Sequence, residues 1–342
     1  MEARQLTLQL TWACDIRCAH CSQDHVRTHL DLAVAKQAIE GLLRHGEINR
    51  LSFTGGEPFL RFDAMLELAR FGAQADLKFG IVTNARWAKS AEKAHQRLAQ
   101  LAEHGLDVLV ISHDEFHEAF VPDEAIAHLL NAAEQLGVAT QFYVSRNDTT
   151  PIPLIQQCLS ERFGVAGDQV LVRDVVPLGH GAALPISTLA RSYFEQDREC
   201  PVRNEYNLWP DGEMLPCCSA GTHIGLSLGN LQHDSIDTLV ARRRQSRLLG
   251  MLHRHDMAEL VLRLPEPIGT RLASQNYVSA CHLCHAILSE PNIHVLVEGI
   301  DPEQISLIEK VLHTPAAQAR LTERVRQLRR AWPGPPVVAV PG

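Results

Sequence analysis

Six short apolar segments alternate with amphipathic segments between residue 6 and about residue 177, and this repeat limits the possible folds more than any other feature. The apolar segments are rich in Val, Ile, Leu and Phe without clear polar alternation, as expected for parallel strands covered on both faces. Six consecutive β–α units imply right-handed crossovers and a parallel sheet, and they are too few for an eight-stranded barrel. The sequence therefore predicts an α/β fold with an open, partial (β/α)6 TIM barrel. The predicted strands are Leu6–Trp12, Arg50–Thr54, Leu77–Thr83, Val108–Ser112, Val138–Ser145 and Val170–Val176.

Two of the intervening helices have recognisable starting points. Asp31 is a suitable N-cap for a helix whose apolar side includes Ile39 and Leu42 at helical spacing. A second helix is predicted after Pro122, with Leu129 on its apolar side.

Three cysteines, Cys14, Cys18 and Cys21, follow the first predicted strand with the spacing C-x3-C-x2-C. A structural zinc site or a fully ligated cubane cluster needs four protein ligands. Three thiolates on one loop would hold a 4Fe–4S cluster by three irons and leave the fourth iron open to a small-molecule chelate. A zinc-binding or merely buried set of thiols is the alternative. In β/α barrels the chemistry lies at the carboxyl ends of the strands, where this loop is predicted to be.

The cysteine loop resembles the signature of the radical S-adenosylmethionine (SAM) superfamily, in which the open iron binds the amino and carboxylate groups of the cofactor's methionine. His20 occupies the position where the family has an aromatic residue. The resemblance covers roughly residues 5–180 and implies a (β/α)6 barrel and a 5′-deoxyadenosyl radical that abstracts a hydrogen atom from the substrate. The end of the second strand is similar to the family's GGEP motif, which contacts the methionine amino group: Gly55, Gly56, Glu57 and Pro58.

The resemblance implies further cofactor contacts at the ends of later strands. These are Asn84 after the third strand, Ser112 and Asp114 facing the ribose and substrate, and Arg146 pairing with the methionine carboxylate. For Ser112 and Asp114, a helix N-cap is an equally good interpretation. His117 and Glu118 are candidate acid or base groups, or residues of a solvated loop.

A second set of cysteines lies towards the C-terminus: Cys200, Cys217, Cys281 and Cys284. A β-hairpin with a turn at Gly212 is predicted between the first two. The pattern resembles the auxiliary-cluster domains called SPASM and twitch, and implies a second, fully ligated 4Fe–4S cluster of the single-cluster twitch type. A four-cysteine zinc site is the competing interpretation.

Two further cysteines have weaker assignments. Cys158 lies in a predicted helix and is expected to be a packing residue. Cys218, next to Cys217, is a candidate hydrogen-atom donor to a substrate radical, an alternative cluster ligand, or a packing residue.

The whole chain of 342 residues is predicted to divide into a core barrel (1–185), an auxiliary 4Fe–4S domain of α+β type (186–300), and C-terminal helices with a disordered tail (301–342). A formal charge of −8 argues against a nucleic-acid partner, and no segment predicts a membrane span. Nine cysteines without an export signal favour the reducing cytoplasm.

The expected function is a radical SAM oxidoreductase or maturase that oxidises, cross-links or epimerises a ribosomally made peptide. Oxidation or epimerisation of a small molecule such as an aminosugar is the alternative, and a non-catalytic iron–sulfur or zinc protein is a third. Because the barrel begins at residue 6, a peptide substrate is expected to need a separate recognition protein or a direct contact. The resemblance also implies a flavodoxin- or ferredoxin-type electron donor.

Overall fold

The computed structural model describes residues 4–23, 25–185, 191–192, 204–217, 226–254 and 257–298. The chain separates into two compact units. The first comprises Met1–Leu189 and Val202–Gln245, and the second comprises Ala190–Pro201 and Ser246–Gly342. The domain boundary expected at residue 185 stays a prediction, and the predicted helices and tail of residues 301–342 lie outside the described residues.

Within the described residues, the first unit contains a nine-stranded sheet in the order β10-β9-β8-β1-β2-β3-β4-β5-β6. Strands β1 to β6 are parallel neighbours, which confirms the predicted partial (β/α)6 barrel. The strands of this sheet are β1 (Gln5–Gln9), β2 (Arg50–Thr54), β3 (Lys78–Thr83), β4 (Leu106–Ser112), β5 (Ala139–Arg146), β6 (Val170–Asp174), β8 (Glu205–Leu208), β9 (Glu213–Leu215) and β10 (Gly229–Asn230).

Helices connect the parallel strands and follow the last of them. In the first unit they are α1 (Leu32–Arg44), α2 (Phe62–Ala73), α3 (Ala91–Ala102), α4 (Glu115–Glu118), α5 (Asp123–Leu136), α6 (Ile152–Phe163) and α7 (Ile236–Gln245). Three 3₁₀ segments lie at Pro58–Arg61, Gly167–Gln169 and Gly179–Ala183.

The local sequence explains these helix boundaries. The Asp31 side chain accepts hydrogen bonds from the backbone N–H groups of Ala33 and Val34, which confirms it as the N-cap of α1. Helix α5 begins after Pro122, as predicted, and ends at Gly137, whose φ of 67° is the left-handed conformation typical of a C-terminal glycine.

The first strand is shorter than predicted. It ends at Gln9, whereas the sequence pattern extended it to Trp12. The chain leaves the regular ladder because Thr11 forms an isolated bridge with His29 and its carbonyl accepts a bond from the Gly56 N–H. The residues before the cysteines therefore form a crossing over the end of β2.

The predicted hairpin is present, and it extends the barrel sheet. Strands β8 and β9 are antiparallel, and Gly212 between them has a φ of 85°, which glycine adopts without strain. Strand β8 also pairs in parallel with β1. The segment that the sequence assigned to the auxiliary domain is thus hydrogen-bonded to the first barrel strand.

The second unit is mainly helical. A short antiparallel pair joins β7 (Arg191–Ser192) to β11 (Asn276–Tyr277). Its helices are α8 (Arg247–Arg254), α9 (Met257–Arg263), α10 (Ile268–Ser274), α11 (Ala280–Leu288) and α12 (Ile293–Glu298). No helix in the described parts of either unit has the length and apolar character needed to cross a bilayer.

Candidate active site

A cavity of about 220 Å³ opens at the carboxyl ends of the barrel strands, and we call it the cysteine cavity. Its walls come from the loop after β1 and from the ends of β2, β3, β4 and β5. The predicted site residues that line it are Cys14, Cys18, His20, Cys21, Gly55, Gly56, Asn84 and Ser112. The structure therefore brings together the first cysteine set and most of the residues expected beside it.

The three cysteines of the loop line one cavity, and the sulfurs of Cys14 and Cys21 have hydrogen-bonding partners. The Asn84 Nδ2 lies 3.6 Å from Cys14 Sγ, and the Gln23 backbone N–H lies 3.5 Å from Cys21 Sγ. The His25 Nε2 is 3.3 Å from Cys21 Sγ. Hydrogen bonds of this kind stabilise negative charge on sulfur and tune iron–sulfur clusters.

The electrostatic environment of these thiols fits a cationic metal group. Burial, with smaller contributions from Glu57, Asp15 and Cys21, raises the pKa of Cys14 to about 11. Burial likewise raises the pKa of Cys18 to about 12, with Asp114 adding to the effect. The Cys14 and Cys18 thiols therefore resist ionisation without a cation. Together with Cys21 they form a soft sulfur donor set, which favours iron–sulfur or zinc over hard cations such as Mg²⁺.

The two glycines at the end of β2 are needed for a close backbone crossing. A Cβ atom at Gly55 would lie 2.3 Å from the Thr11 carbonyl oxygen, and one at Gly56 would lie 2.2 Å from that of Ala13. The Glu57 backbone N–H donates to the Ala13 carbonyl at 2.9 Å. The glycines thus fix the start of the cysteine loop against the sheet, besides lining the cavity.

Glu57 is fully buried and bonded within the protein. Its carboxylate accepts hydrogen bonds from the Thr83 hydroxyl at 2.8 Å, the Asn84 backbone N–H at 2.8 Å and the Phe59 backbone N–H at 3.1 Å. Burial raises its pKa to about 7, although these three bonds oppose the effect. Glu57 and Pro58 are not among the residues that line the cysteine cavity. Their predicted cofactor contacts stay predictions.

Sequence reasoning missed two residues that hold the cysteine loop to the end of β3. The Asp15 carboxylate accepts a bond from Asn84 Nδ2 at 3.0 Å, and its backbone carbonyl accepts one from the Arg86 guanidinium at 2.6 Å. The position of Arg86 two residues after Asn84 was the available signal, because polar residues at barrel strand ends tend to be functional.

His20 lies in the cavity wall as a neutral aromatic residue. Its ring centroid is 4.7 Å from that of Phe116 and 5.3 Å from that of His117. Burial lowers its pKa to about 4, so the ring carries no charge near neutral pH. This placement is compatible with its predicted cofactor contact, which remains a prediction.

The two residues predicted after β4 have different positions. Ser112 lines the cavity, whereas Asp114 caps α4 by accepting the Phe116 backbone N–H at 3.0 Å. Asp114 also accepts bonds from the Ser145 backbone N–H at 2.9 Å and from His117 Nδ1 at 2.7 Å. The N-cap interpretation therefore holds for Asp114. His117 lines the cavity, and Asp114 fixes the orientation of its ring.

Arg146 is engaged outside the cysteine cavity. Its Nε lies 2.7 Å from Asp174 Oδ1 and its Nη1 lies 2.8 Å from the Thr150 carbonyl. Both members of this ion pair are largely buried. The predicted contact between Arg146 and a methionine carboxylate stays a prediction.

The remaining cysteines are distributed over both units. Cys217 follows β9 in the first unit, and its negative charge would interact with the Arg243 guanidinium. Cys281 and Cys284 lie on α11 of the second unit, three residues apart and so on one face of the helix. Cys200 and Cys218 lie outside the described residues, and their roles stay predictions. Cys158 is exposed on α6, so its predicted packing role is wrong.

The structure thus combines a partial parallel barrel with three cysteines at the carboxyl ends of its strands. Residues 8–137 match the model of the Radical SAM superfamily, so this part of the chain is a radical SAM domain. The membership implies a 4Fe–4S cluster and SAM.

Three proteins illustrate the similarity. YydG of Bacillus subtilis, provisionally named a peptide biosynthesis protein, is 22% identical over 263 residues, which are 74% of this chain and 82% of that protein. GTP 3′,8-cyclase 2 of Pseudomonas aeruginosa is 25% identical over 182 residues, 47% of this chain and 52% of that protein. The solved structure of native anSMEcpe with bound AdoMet and Cp18Cys peptide superposes with a TM-score of 0.52 at 15% identity, over 87% of this chain and 100% of that one, and it supports the fold.

Proposed function

We propose that this radical SAM enzyme modifies a peptide substrate through a cluster held by Cys14, Cys18 and Cys21. The single observation that carries the proposal is the position of these three sulfurs in one cavity at the strand ends. When bound, the cluster and SAM would supply the one-electron chemistry that removes a hydrogen atom from an unactivated C–H bond. A set of three protein ligands leaves one coordination position for SAM.

The chain's own residues prepare this site. The buried Glu57 joins the end of β2 to the end of β3, and Asn84 connects the end of β3 to the cysteine loop. The neutral ring of His20 and the apolar side chain of Ile16 line the cavity beside the thiols. A largely buried site excludes water, which protects a reactive intermediate and holds the target carbon in place.

A peptide substrate is supported by the relatives. YydG, which this chain resembles over most of both lengths, carries a name that refers to peptide biosynthesis. The superposed structure of anSMEcpe contains a peptide. Oxidation, cross-linking or epimerisation of a peptide is the reaction class that we infer, and a separate recognition protein and a flavodoxin- or ferredoxin-type donor are the partners. The nine cysteines favour the cytoplasm as its location.

We also propose that Cys200, Cys217, Cys281 and Cys284 hold an auxiliary 4Fe–4S cluster. The spacing of Cys281 and Cys284 on one helix face and the positive charge of Arg243 near Cys217 support thiolate ligation. Such a cluster would accept an electron from the substrate and make the net reaction an oxidation. Cys218 is the proposed hydrogen-atom donor if the reaction is an epimerisation.

The test measures iron, sulfide and 5′-deoxyadenosine on anaerobically reconstituted protein. Wild type is expected to hold two clusters and to release 5′-deoxyadenosine when SAM and dithionite are added. The triple variant Cys14→Ala, Cys18→Ala, Cys21→Ala should lose one cluster and all 5′-deoxyadenosine. The exposed Cys158→Ala variant is the matched control and should behave as wild type.

Two results would contradict parts of this proposal. Zinc in place of iron at the second set would remove the auxiliary cluster while leaving the first intact. Product formation from a small molecule, with none from a precursor peptide encoded beside the gene, would reject the peptide substrate.

A further inference from the structure

A second cavity of about 300 Å³ lies beside the cysteine cavity, between the ends of β4 and β5 and the helix α6. We call it the α6 cavity. Ser145 lines both cavities, and Asp114 lines the α6 cavity while it bonds to His117 in the cysteine cavity. The radical SAM chemistry as proposed assigns no role to His113, which lines this cavity.

The α6 cavity contains a buried imidazole without a hydrogen-bond partner. His113 has no exposed surface, lines the cavity, and neither of its ring nitrogens has a hydrogen-bond partner. The nearest carboxylate oxygen, Oε1 of Glu118, is 3.8 Å from Nε2, beyond hydrogen-bond reach. A buried polar group without a partner costs free energy, so such a group requires an explanation.

The ring of His113 is neutral and therefore has both donor and acceptor capacity. Burial and the nearby Arg162 lower its pKa. A neutral imidazole donates from one nitrogen and accepts at the other. A ligand hydroxyl group could satisfy either nitrogen, because it both donates and accepts.

The cavity combines an apolar wall with a polar, largely acidic rim that includes Ser145, Asn147 and Thr150, and it offers little to an anion. Val144, Leu154 and Leu159 contribute apolar walls. Both arginines at the rim are occupied, since Arg162 pairs with Asp123 at 2.6 Å and Arg146 pairs with Asp174.

The acidic rim does not favour a cation at the bottom of the cavity. Glu115 forms no ion pair among the described residues, and burial, together with Asp148 and other carboxylates, raises its pKa. The carboxylates of Glu115 and Glu118 belong to exposed residues, whereas His113 is buried. The Asp114 carboxylate also lines the cavity, but it already accepts bonds from the Phe116 and Ser145 backbone N–H groups and from His117, so it would repay little of the desolvation cost of a cation beside His113.

The cavity is large enough for an aromatic group. A dry cavity of about 150 Å³ is enough to bind benzene, and the α6 cavity is larger. We propose that the α6 cavity binds a phenolic side chain, with the ring against the apolar walls and the hydroxyl on His113. We assign it to a tyrosine of the substrate; this part rests on the proposed peptide function.

Fluorine NMR titrations of the reconstituted enzyme test the proposal with three small fluorinated aromatic probes: 4-fluorophenol, fluorobenzene and 4-fluorobenzylamine. Wild type should bind 4-fluorophenol about tenfold more tightly than fluorobenzene, as one buried hydrogen bond predicts. In His113→Phe, which keeps an aromatic ring beside Phe142 and Phe163, that preference should disappear while fluorobenzene still binds.

A second variant, which fills the cavity, separates an effect on binding from an effect of His113→Phe on folding. Leu154→Trp changes a half-exposed residue of the cavity wall and should weaken both aromatic probes. Ile152→Trp, on the same helix but outside the cavity lining, is the matched control and should bind as wild type. The proposal would be overturned if wild type bound 4-fluorophenol and fluorobenzene equally, or if it bound 4-fluorobenzylamine more tightly than 4-fluorophenol. It would also be overturned if the preference for 4-fluorophenol survived His113→Phe, or if binding were unchanged in Leu154→Trp.

A displacement experiment tests whether the phenolic group belongs to a peptide. The capped tripeptide Ala-Tyr-Ala should displace 4-fluorophenol, whereas Ala-Phe-Ala should do so about tenfold more weakly. Failure of both to displace it would overturn the assignment to a peptide residue. Release of 5′-deoxyadenosine is measured separately in wild type and should be normal in the Ile152→Trp control, so failure of the radical SAM proposal would be distinguishable from failure at this cavity.

Discussion

Replacement of Gly56 by Ala tests the backbone crossing that supports the cysteine loop. The added Cβ would lie 2.2 Å from the Ala13 carbonyl oxygen, 2.5 Å from its carbon and 2.7 Å from the Trp12 carbonyl oxygen. All three atoms belong to the backbone, so no flexible side chain can move away. The two backbone segments must therefore move apart.

The magnitude follows from the contacts that separation breaks. The Gly56 N–H bond to Thr11 at 2.6 Å and the Glu57 N–H bond to Ala13 at 2.9 Å would both be lost. Each is worth about 1 kcal/mol, and overpacking adds roughly 1–3 kcal/mol. We expect a loss of about 4 kcal/mol in the free energy of unfolding if the register is kept, or a displaced cysteine loop if it is not.

Urea unfolding and iron content after anaerobic reconstitution measure the two outcomes. Gly167→Ala is the matched control, because its Cβ would meet Gln156 only at 3.9 Å and its backbone needs no positive φ. It should change stability by less than about 0.5 kcal/mol and retain iron. A Gly56→Ala protein with wild-type stability and wild-type iron content would refute the crossing as a constraint on the loop.

Three further predictions concern buried polar groups of the barrel. Because the pKa of Glu57 rises from 4.5 to about 7 on folding, the folded state holds this proton more tightly than the unfolded state. Between pH 4.5 and pH 8 wild type should therefore lose ~3 kcal/mol of unfolding free energy relative to Glu57→Gln. A difference between the two proteins that stays constant with pH in urea titrations would contradict this. Thr83→Val removes the hydroxyl that donates to Glu57 and accepts from Trp87 Nε1 at 3.1 Å, so calorimetry should show a loss of about 2–3 kcal/mol in the free energy of unfolding. A loss below about 1 kcal/mol would argue against these bonds. Arg146→Met should lower the unfolding free energy by about 3 kcal/mol because it leaves Asp174 unpaired, and the double variant Arg146→Met, Asp174→Leu should recover most of this loss. No recovery in chemical denaturation would exclude the pairing. Unchanged SAM affinity in the double variant would reject the predicted contact with the methionine carboxylate.

The sequence predicted the elements of the barrel well because their signals are local. The capping of α1 by Asp31, the start of α5 after Pro122 and the turn at Gly212 each depend on a few neighbouring residues. The cysteine loop and the ends of strands β2 to β4 were also predicted to meet, since parallel strands place their carboxyl ends at one edge.

The errors and omissions concern partners that are distant along the chain. Nothing in the residues around Arg146 indicates that Asp174 occupies its guanidinium. The exposure of Cys158 depends on how α6 packs against the sheet, which helical periodicity does not define. The pairing of β8 with β1 joins residues about two hundred positions apart, and the alternating pattern of a hairpin does not specify its third neighbour.

The direction of the hairpin determines where Cys217 lies relative to the first cysteines. Strand β8 runs parallel to β1, and β9 returns antiparallel, with Leu215 opposite Asn207. The chain therefore reaches Cys217 level with the beginning of β1, whereas the first three cysteines follow its end. A strand of five residues is on the order of 15 Å long. A substrate at the first cysteines would thus be about a strand length away from Cys217, and any electron passed between them would have to cross that distance.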